Sequence, residues 1–326
     1  MVHVSVIIPM YNVGEYISTT IDSLLQQSYK NFEIILVNDG STDNTEEVCR
    51  KFVHENNNVF LYNKENGGLS DARNFGVTKS NYDWVLFIDG DDYIESYSIE
   101  LLTELQKIYD ADIVSGKLKS TCEVDLSIKS ISQNVASNSA LVNKFVALEE
   151  MYRNRRTTVS ACGKLIKKSI VEKYPFTIGV LYEDLDVIAK YIYEASNIVI
   201  SDELVYNYYQ RPGSIVNSGF NPRQLDFYKA IDSNFQSIEN FYEDNTHLRS
   251  LVITKCIDGS WKFVNTIDID NVDPEVLSVI LMRNRSYFWN YILHKNSIKY
   301  KVMLTIFNMS PKLYFNLRRI RKICWF

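Results

Sequence analysis

The chain has 326 residues, of which 46% are hydrophobic and 13% aromatic, enough for one large or two modest globular domains. Its net charge of −5 does not provide the basic surface that duplex nucleic acid requires, so a nucleic-acid-binding protein is disfavoured. The five cysteines include no Cys-x-x-Cys pair and the four histidines share no short spacing. This pattern favours a reducing compartment and predicts neither a disulfide framework nor a zinc site.

Neither end of the chain has the pattern of a membrane-spanning or secretory segment. The sequence runs from Met1 into an apolar strand pattern without a signal peptide, and no apolar run approaches the roughly 18 residues of a membrane span. From Val276 to Phe326 there are ten Lys or Arg and no Asp or Glu. The rest of the chain has 25 Lys or Arg against 40 Asp or Glu, a net charge of −15. We therefore expect a cytoplasmic protein whose basic, aromatic tail faces an anionic surface.

The first third of the chain alternates predicted strands with predicted helices. VSVIIP predicts a strand, Tyr16 to Gln27 an amphipathic helix, and FEIILVN a second strand. The turn cluster NDGSTDNT follows, in which Ser41, Thr42 or Asp43 can cap the next helix. VFLY, a helix around Leu69 to Thr78, and WVLFI come next. This order predicts an α/β fold with a largely parallel sheet, whose ligands bind outside the carboxyl ends of the strands.

The remaining segments are less regular. Ile99 to Ser139 predicts a helix, a strand at DIVSG and a variable polar excursion. A helix is predicted over Lys144 to Arg153, followed by a strand or helix start and a basic helix in ACGKLIKKSIVEKY. Another helix begins near Glu183, and from Gln224 onward the chain reads as helices.

An unusual carboxylate cluster follows the strand in VLFIDGDDY. Asp89, Asp91 and Asp92 stand at the end of an apolar run, and the polar cluster from Asn38 to Asp43 follows another strand. Both clusters should therefore lie at the same edge of the sheet. Carboxylate oxygens suit hard cations such as Mg²⁺ or Mn²⁺, which commonly bridge to substrate phosphates. An ordinary turn residue remains the alternative for Asp39, and a cap of the next segment remains the alternative for Asp92.

A haloacid-dehalogenase-like phosphatase also places Asp-x-Asp after an apolar strand, with the first Asp as nucleophile. In that family the motif usually lies on the first strand and continues into Gly-Thr or Gly-Val. Here it lies on about the fourth strand and continues into Asp-Tyr. These two differences argue against the phosphatase.

Six segments, taken together and in this order, resemble glycosyltransferase family 2, whose members are inverting enzymes with the GT-A nucleotide-sugar fold. They are SVIIPMYN, VNDGSTDNT, ENGGLSDARNFG, FIDGDDY, YEDLD and YNYYQRPGSI, between Ser5 and Ile215. The tail resembles, less specifically, the C-termini of capsule and exopolysaccharide transferases. The resemblance implies a GT-A mixed sheet over residues 1–215, with a nucleotide-binding half (1–98) and an acceptor-side half (99–215). A helical region (216–326) would follow.

The resemblance also implies roles for individual residues. Those expected to contact the nucleotide or donor sugar are Pro9, Tyr11, Asn12, Asp39, Arg73, Asp89, Arg211 and Ser214. Asp91 would ligate Mn²⁺ or Mg²⁺ on the diphosphate, Asp184 would be the general base, and Glu183 would orient it or touch the acceptor. The alternatives are a surface arginine on a helix for Arg73, a plain turn for the QRPGS loop, and helix-dipole carboxylates in YEDLD.

The implied reaction is transfer of a sugar from a UDP-linked nucleotide donor to a saccharide acceptor, with a β-linked product from an α-linked donor. Capsular or extracellular polysaccharide synthesis and a lipid-linked acceptor fit this expectation. A non-catalytic carbohydrate-binding module is the competing class. Such a module would not need the metal carboxylates together with the Glu-Asp pair of YEDLD.

The tail from Pro311 to Phe326 predicts an interfacial helix. Its expected apolar face carries Leu313, Leu317, Ile320 and Cys324, and its basic face carries Lys312, Arg318, Arg319 and Lys322. This pattern predicts peripheral contact with the inner face of the cell membrane. The alternative is a helix that packs on the protein's own body or on a second subunit of a homo-oligomer.

Overall fold

A computed structural model describes residues 1–130, 136–211, 220–241, 245–294 and 298–321. The chain divides into two compact units, Met1–Ser214 and Ile215–Phe326. The first unit is an α/β domain and the second is helical. No helix in the described part of the chain combines the length and the apolar character that crossing a bilayer would require.

Nine strands within the described residues form one mixed sheet in the first unit. They are β1 (Val4–Met10), β2 (Phe32–Asp39), β3 (Val59–Lys64), β4 (Trp84–Phe87), β5 (Tyr93–Ile94), β6 (Ile113–Thr121), β7 (Ser139–Val142), β8 (Lys164–Lys167) and β9 (Ile198–Tyr209). The order across the sheet is β3-β2-β1-β4-β8-β6-β9-β5, and β7 also pairs with β9. Strands β1 to β4 are mutually parallel, β8 runs antiparallel to β4 and β6, and β9 is parallel to β6.

Seven α-helices within the described residues connect these strands. They are α1 (Ile17–Leu25), α2 (Thr45–Glu55), α3 (Leu69–Lys79), α4 (Ser98–Tyr109), α5 (Lys144–Tyr152), α6 (Lys168–Lys173) and α7 (Glu183–Glu194). Strands β1 and β2 are buried along their whole length, as continuous apolar runs in a parallel sheet should be. The turn before α2 is held by Asp43, whose Oδ1 accepts the backbone N–H of Thr45 at 3.0 Å. The N-cap residue of α2 is Asn44, one residue later than the three predicted candidates, and its side chain makes no capping bond. Asp43 bonds the first residue of the helix from outside it.

The α/β prediction is confirmed, and the sheet is mixed because its second half contains antiparallel pairs. Strand β9 was not predicted from the sequence. Its segment combines a polar centre with a run of tyrosines, and it shows neither strict alternation nor a continuous apolar run. The two short strands β5 and β7 were also missed, since two to four residues carry little periodicity.

The second unit contains a 3-10 helix (Pro222–Leu225) and six α-helices. Within its described residues these are α8 (Asp226–Phe241), α9 (Thr246–Thr266), α10 (Pro274–Ser286), α11 (Phe288–His294), α12 (Ile298–Met309) and α13 (Pro311–Arg321). Asp273 caps α10 by accepting the N–H of Glu275, with Pro274 in the first turn.

The tail helix α13 packs on its own unit through residues other than the predicted apolar face. Tyr314 and Phe315 are buried, and the Tyr314 ring lies 5.4 Å from the Trp261 ring and 5.5 Å from the Phe307 ring. Leu313 is exposed. The helix therefore packs on its own unit through Tyr314 and Phe315, and the exposed Leu313 leaves the predicted interfacial face a prediction.

The basic side of the tail is also partly engaged. Arg318 donates to the carbonyls of Val264 and Asn265 at 3.1 and 2.8 Å, at the C-terminal end of α9. A cation at that position complements the helix dipole. Lys322 and Cys324, and the side chains of Arg319 and Ile320, lie outside what the structure describes.

Candidate active site

The DGDD segment turns sharply where β4 ends. The backbone N–H of Asp92 donates to the carbonyl of Asp89 at 3.0 Å. The buried side chain of Asp92 accepts the Tyr206 hydroxyl and, at 2.8 Å, the backbone N–H of Tyr209. Burial and the charge of Asp89 raise the pKa of Asp92 to about 8. Asp92 thus ties the carboxylate loop to β9, a long-range role that the sequence did not indicate.

The two other carboxylates of the loop remain partly exposed. Asp89 receives one N–H bond of Arg73, and its own backbone N–H donates to the Tyr206 hydroxyl at 3.2 Å. Oδ2 of Asp91 lies 2.8 Å from Nε of Arg211 in an ion pair. Burial and the neighbouring Asp89 charge raise the pKa of Asp91, although Arg211 opposes the shift.

Arg73 of α3 joins this loop to the start of α7. Its side chain is only 2% exposed. Nη2 donates to Asp89 Oδ1 at 2.9 Å, and Nη1 donates to Glu183 Oε1 at 3.0 Å and to Asp184 Oδ1 at 2.8 Å. Burial disfavours the charged guanidinium, but the carboxylate charges outweigh that effect and raise the pKa of Arg73 well above its ordinary value. The structure therefore brings together Asp89, Glu183 and Asp184, which lie as much as 95 residues apart in the sequence.

The Glu-Asp pair stands in the first turn of α7. Tyr182, just before it, has a left-handed backbone with φ of 65°, and its side chain makes no capping bond. Oδ2 of Asp184 accepts the backbone N–H of Ala161 at 3.0 Å, opposite the bond from Arg73. Burial, and then the charge of Asp184, raise the pKa of Glu183 to about 7 despite Arg73. Two neighbouring carboxyls in different environments are the arrangement from which acid and base roles arise.

The loops after β1 and β2 are bonded to each other. Asn12 has a left-handed backbone with φ of 52°, its N–H donates to Ser41 Oγ at 3.0 Å, and its Oδ1 accepts the N–H of Thr42 at 2.8 Å. Pro9 is buried at the end of β1, and Tyr11 is half exposed beside it. The structure thus places Pro9, Tyr11 and Asn12, all expected to contact the nucleotide or donor sugar, at the carboxyl edge of the sheet and gives Asn12 a bridging role.

Asp39 ends β2 and holds the glycine turn of the ENGG segment. Its side chain is buried, Oδ1 accepts the N–H of Gly67 at 2.9 Å, and Oδ2 accepts the N–H of Gly68 at 2.8 Å. Lys64 adds an ion pair to the same carboxylate. Gly68 has φ of 87°, a conformation that L side chains rarely adopt. Asp39 is therefore more than an ordinary turn residue, because it organises the loop that leads into α3.

Arg211 lies just beyond β9, and its guanidinium carbon is 5.3 Å from the centre of the Tyr16 ring. Its buried Nε forms the ion pair with Asp91, but the N–H does not point at the carboxylate oxygen. This Nε therefore has no hydrogen-bond partner among the described residues. Ser214 lies outside the described residues, so its expected role stays a prediction.

The residues at this edge fit a hard divalent cation only in part. No group of three or more His, Cys, Asp or Glu in the described ranges could form a metal cage. The carboxylates of Asp89 and Asp91 supply oxygen donors of the preferred kind, and crowding of their charges favours a cation nearby. This set fits an ion held by one or two carboxylates plus substrate phosphates, the usual mode for Mg²⁺.

Several residues of the site were not found from the sequence. Phe176 stacks near Arg73, with 5.3 Å from the guanidinium carbon to the ring centre. Lys164 is fully buried, donates to the carbonyl of Ser160 at 2.7 Å, and has its pKa lowered to about 8 by burial. Tyr206 lies in YNYYQRPGSI, one of the six recognised segments, and could have been singled out there. Phe176 and Lys164 carry no comparable sequence signal.

Comparison with known proteins is consistent with this geometry. The model of the family described as glycosyl transferase family 2 matches residues 5–174. The chain is 32% identical to the glycosyltransferase GlyG of Streptococcus pneumoniae over 67% of its length, covering 74% of that protein. It is 34% identical to GlyA of the same organism over 65% of its length but spans only 31% of that longer protein.

The fold is shared with a solved enzyme. The structure of S. aureus TarS residues 1–349 in complex with UDP-GlcNAc superposes with a TM-score of 0.66 at 20% identity, covering 95% of this chain and 91% of the other. At this identity the likeness concerns the fold alone, and that fold is GT-A. The family match over more than half of the chain, together with this fold, shows that the chain belongs to glycosyltransferase family 2.

Proposed function

We propose that this chain transfers a hexosyl or N-acetylhexosaminyl group from a UDP-linked donor to a saccharide acceptor, with inversion at the anomeric carbon. The observation that carries the proposal is the bridge made by Arg73. Its guanidinium bonds both Asp89, just after β4, and the pair Glu183 and Asp184 at the start of α7. The TarS structure with UDP-GlcNAc supports a UDP-linked donor.

The proposed roles follow the sheet edge from the nucleotide side to the acceptor side. Residues 1–98 would bind the nucleotide, with Pro9, Tyr11, Asn12 and Asp39 around the base and ribose. Residues 99–215 would supply the acceptor side. Asp89 would contact the ribose or donor sugar, Asp91 the metal, and Arg211 and Ser214 the diphosphate. The half-exposed Tyr11 and the position of the Arg211 guanidinium beside Asp91 support contacts with a ligand at these positions.

The proposed chemistry needs one base and no covalent intermediate. Asp184 would take the proton from an acceptor hydroxyl as that oxygen attacks the anomeric carbon from the face opposite the nucleotide. An α-linked donor would give a β-linked product. Glu183 would hold the acceptor or orient Asp184, since both carboxyls bond the same Nη1 of Arg73. When bound, Mn²⁺ or Mg²⁺ would supply positive charge for the leaving diphosphate.

The proposed setting is capsular or extracellular polysaccharide synthesis at the inner face of the cell membrane, with a lipid-linked acceptor. Membrane contact is supported by an apolar stripe on α12 formed by Ile298, Val302 and Met309, which are exposed and lie about one helical turn or two apart. The last acidic residue of the chain is Glu275, so α12 and α13 carry no Asp or Glu of their own that would repel an anionic surface. Each basic residue near such a surface contributes about 1 kcal/mol.

Liposome binding tests the membrane contact. We expect Val302→Asp to weaken binding to vesicles of phosphatidylserine and phosphatidylcholine, because it places a charge in the stripe. Truncation after Ser310 should also weaken binding, because it removes the basic residues of the tail. Equal binding by the wild type and Val302→Asp would remove the support for this surface.

A donor screen tests the catalytic proposal directly. The purified chain is incubated with UDP-, GDP- and dTDP-sugars and a mixture of saccharide acceptors, with Mn²⁺, with Mg²⁺ or with excess EDTA, and release of the nucleoside diphosphate is measured. We expect turnover with a UDP-sugar and loss of most of it in EDTA or in Asp91→Asn. Sugar binding without any turnover would favour a carbohydrate-binding module. Full turnover in EDTA would exclude the metal role.

A further inference from the structure

The family resemblance assigns Arg73 to the nucleotide, but its surroundings favour a different role. Both Nη atoms already donate to carboxylates, and the side chain is 2% exposed. The remaining Nε is itself buried and has no partner among the described residues. A nucleotide could reach this guanidinium only if the surrounding segments separated.

The neighbour of Arg73 on α3 fixes the same part of the molecule. The Asn74 amide donates to the carbonyl of Phe176 at 2.8 Å, and its Oδ1 accepts the N–H of Phe176 at 2.9 Å. Phe176 then packs edge-on against Phe87 of β4 and Tyr191 of α7, with ring centres 5.3 and 6.2 Å apart. Two consecutive residues of α3 thus hold the region around the start of α7. Asn74 bonds the backbone of Phe176, and Arg73 bonds the carboxylates of Glu183 and Asp184.

We propose that Arg73 is a positioning residue that holds Asp184 toward the acceptor and Asp89 toward the donor, and that it does not contact the nucleotide. Asp184 is held from two sides, by Arg73 at Oδ1 and by the Ala161 N–H at Oδ2. Removal of the guanidinium frees one oxygen and leaves three carboxylates near one another without a shared cation. The base then loses both its orientation and its charge compensation. This role rests on the proposed function.

The test separates nucleotide affinity from turnover in Arg73→Gln and Arg73→Lys. We expect Arg73→Gln to lower kcat by about 10²-fold or more, because loss of orientation acts on the transfer step. UDP affinity measured by calorimetry should change less than about threefold. Arg73→Lys, which keeps one charge, should retain more turnover than Arg73→Gln. Arg156→Gln, which removes an arginine paired with Asp202 at the surface of the same unit, should match the wild type.

Two further measurements exclude a merely structural effect. Arg73→Ala should regain part of its kcat in about 20 mM guanidinium chloride, since the free ion can occupy the vacated site; Arg156→Gln should not respond. The melting-temperature losses of Arg73→Gln and Asp184→Ala should not add in the double variant, because each change alone already removes the bond between Nη1 of Arg73 and Oδ1 of Asp184. A tenfold fall in UDP affinity in Arg73→Gln, with kcat unchanged, would overturn the proposal, as would additive losses.

The wild-type chain distinguishes this proposal from the proposed function. If it binds no nucleotide and transfers no sugar, the proposed function fails. The non-additivity between Arg73 and Asp184 still decides whether the guanidinium holds that carboxylate, and additive losses would reject the positioning role.

Discussion

Replacement of Asp184 by Asn is the sharpest test of the catalytic assignment, because the amide keeps the shape of the carboxylate but is a far weaker proton acceptor. In the structure both carboxylate oxygens accept hydrogen bonds, one from Arg73 at 2.8 Å and one from the Ala161 N–H at 3.0 Å. The amide nitrogen must face one of these two donors, whichever way the side chain turns. A donor then lies opposite a donor, and two buried groups lose their partners.

The two consequences have different sizes. The unmade bond should cost about 1–3 kcal/mol of unfolding free energy. A unit of this size loses about 2–4 °C of melting temperature per kcal/mol, so the Tm should fall by several degrees. Loss of the general base should lower kcat by about 10²–10⁴, which is about 3–5.5 kcal/mol of activation free energy. UDP-sugar affinity should stay nearly unchanged, since neither oxygen of Asp184 is expected to contact the donor.

Asp186→Asn is the matched control. Asp186 lies in the same first turn of α7, but it accepts from the Thr177 hydroxyl and from Lys190, each at 2.8 Å. It should lose stability to a similar degree and retain turnover. Turnover, donor affinity and thermal unfolding are measured on both variants. Equal and mild losses of kcat at Asp184 and Asp186 would refute the assignment of Asp184 as the base.

Three further outcomes follow from individual contacts. In Arg211→Gln, Mn²⁺ should bind the nucleotide-free chain several-fold more tightly, because the guanidinium that competes for Asp91 is gone. The Mn²⁺–UDP complex should bind this variant more weakly than it binds the wild type. Electron paramagnetic resonance of free Mn²⁺ measures both affinities, and weaker binding in both states would contradict this prediction. Glu183 has a pKa raised to about 7, so between pH 4.5 and 7 it keeps a proton in the folded state that the unfolded chain releases. The free energy of unfolding should therefore fall as pH rises through this range. Glu183→Gln should flatten this pH dependence in urea titrations, and an unchanged slope would contradict the raised pKa. Tyr206→Phe should lower the free energy of unfolding by about 1–3 kcal/mol, because the Tyr206 hydroxyl bonds two groups. Tyr314→Phe should leave that free energy unchanged or raise it, because the buried Tyr314 hydroxyl has no partner among the described residues. Denaturant unfolding measures both variants, and a larger loss in Tyr314→Phe would refute these contacts.

The first half of the sheet could be predicted because its strands are continuous apolar runs between clear turn signals. The same pattern placed Asp39 and Asp89 at one edge, and both lie there. The sequence could not predict that β9 returns beside β5 and β6, since its tyrosine-rich segment has no strand periodicity. The bond between Asp92 and Tyr206 depends on that pairing and was missed with it.

Arg73 shows a second limit of sequence reasoning. In SDARN the arginine stands in a helix of low apolar periodicity, which reads as a surface position. Its burial is decided by partners 110 and 111 residues away, and no local pattern records them. The tail shows the same limit, because the partners of Tyr314 lie in α9 and α12. Long-range contacts therefore determine the burial of Arg73 and Tyr314, whereas the local sequence pattern was enough to locate the first four strands.

For the proposed reaction, the charges at the sheet edge predict that donor and cation enter this site together. Four carboxyl groups, those of Asp89, Asp91, Glu183 and Asp184, face the guanidinium groups of two arginines, Arg73 and Arg211. Arg73 is enclosed among three of them, so Arg211 is the arginine left to meet a diphosphate. An anionic diphosphate entering alone would meet Asp89 and Asp91 across a short distance. A divalent cation bound with the diphosphate reverses the sign of that interaction, and by linkage each must then raise the affinity for the other by the same factor.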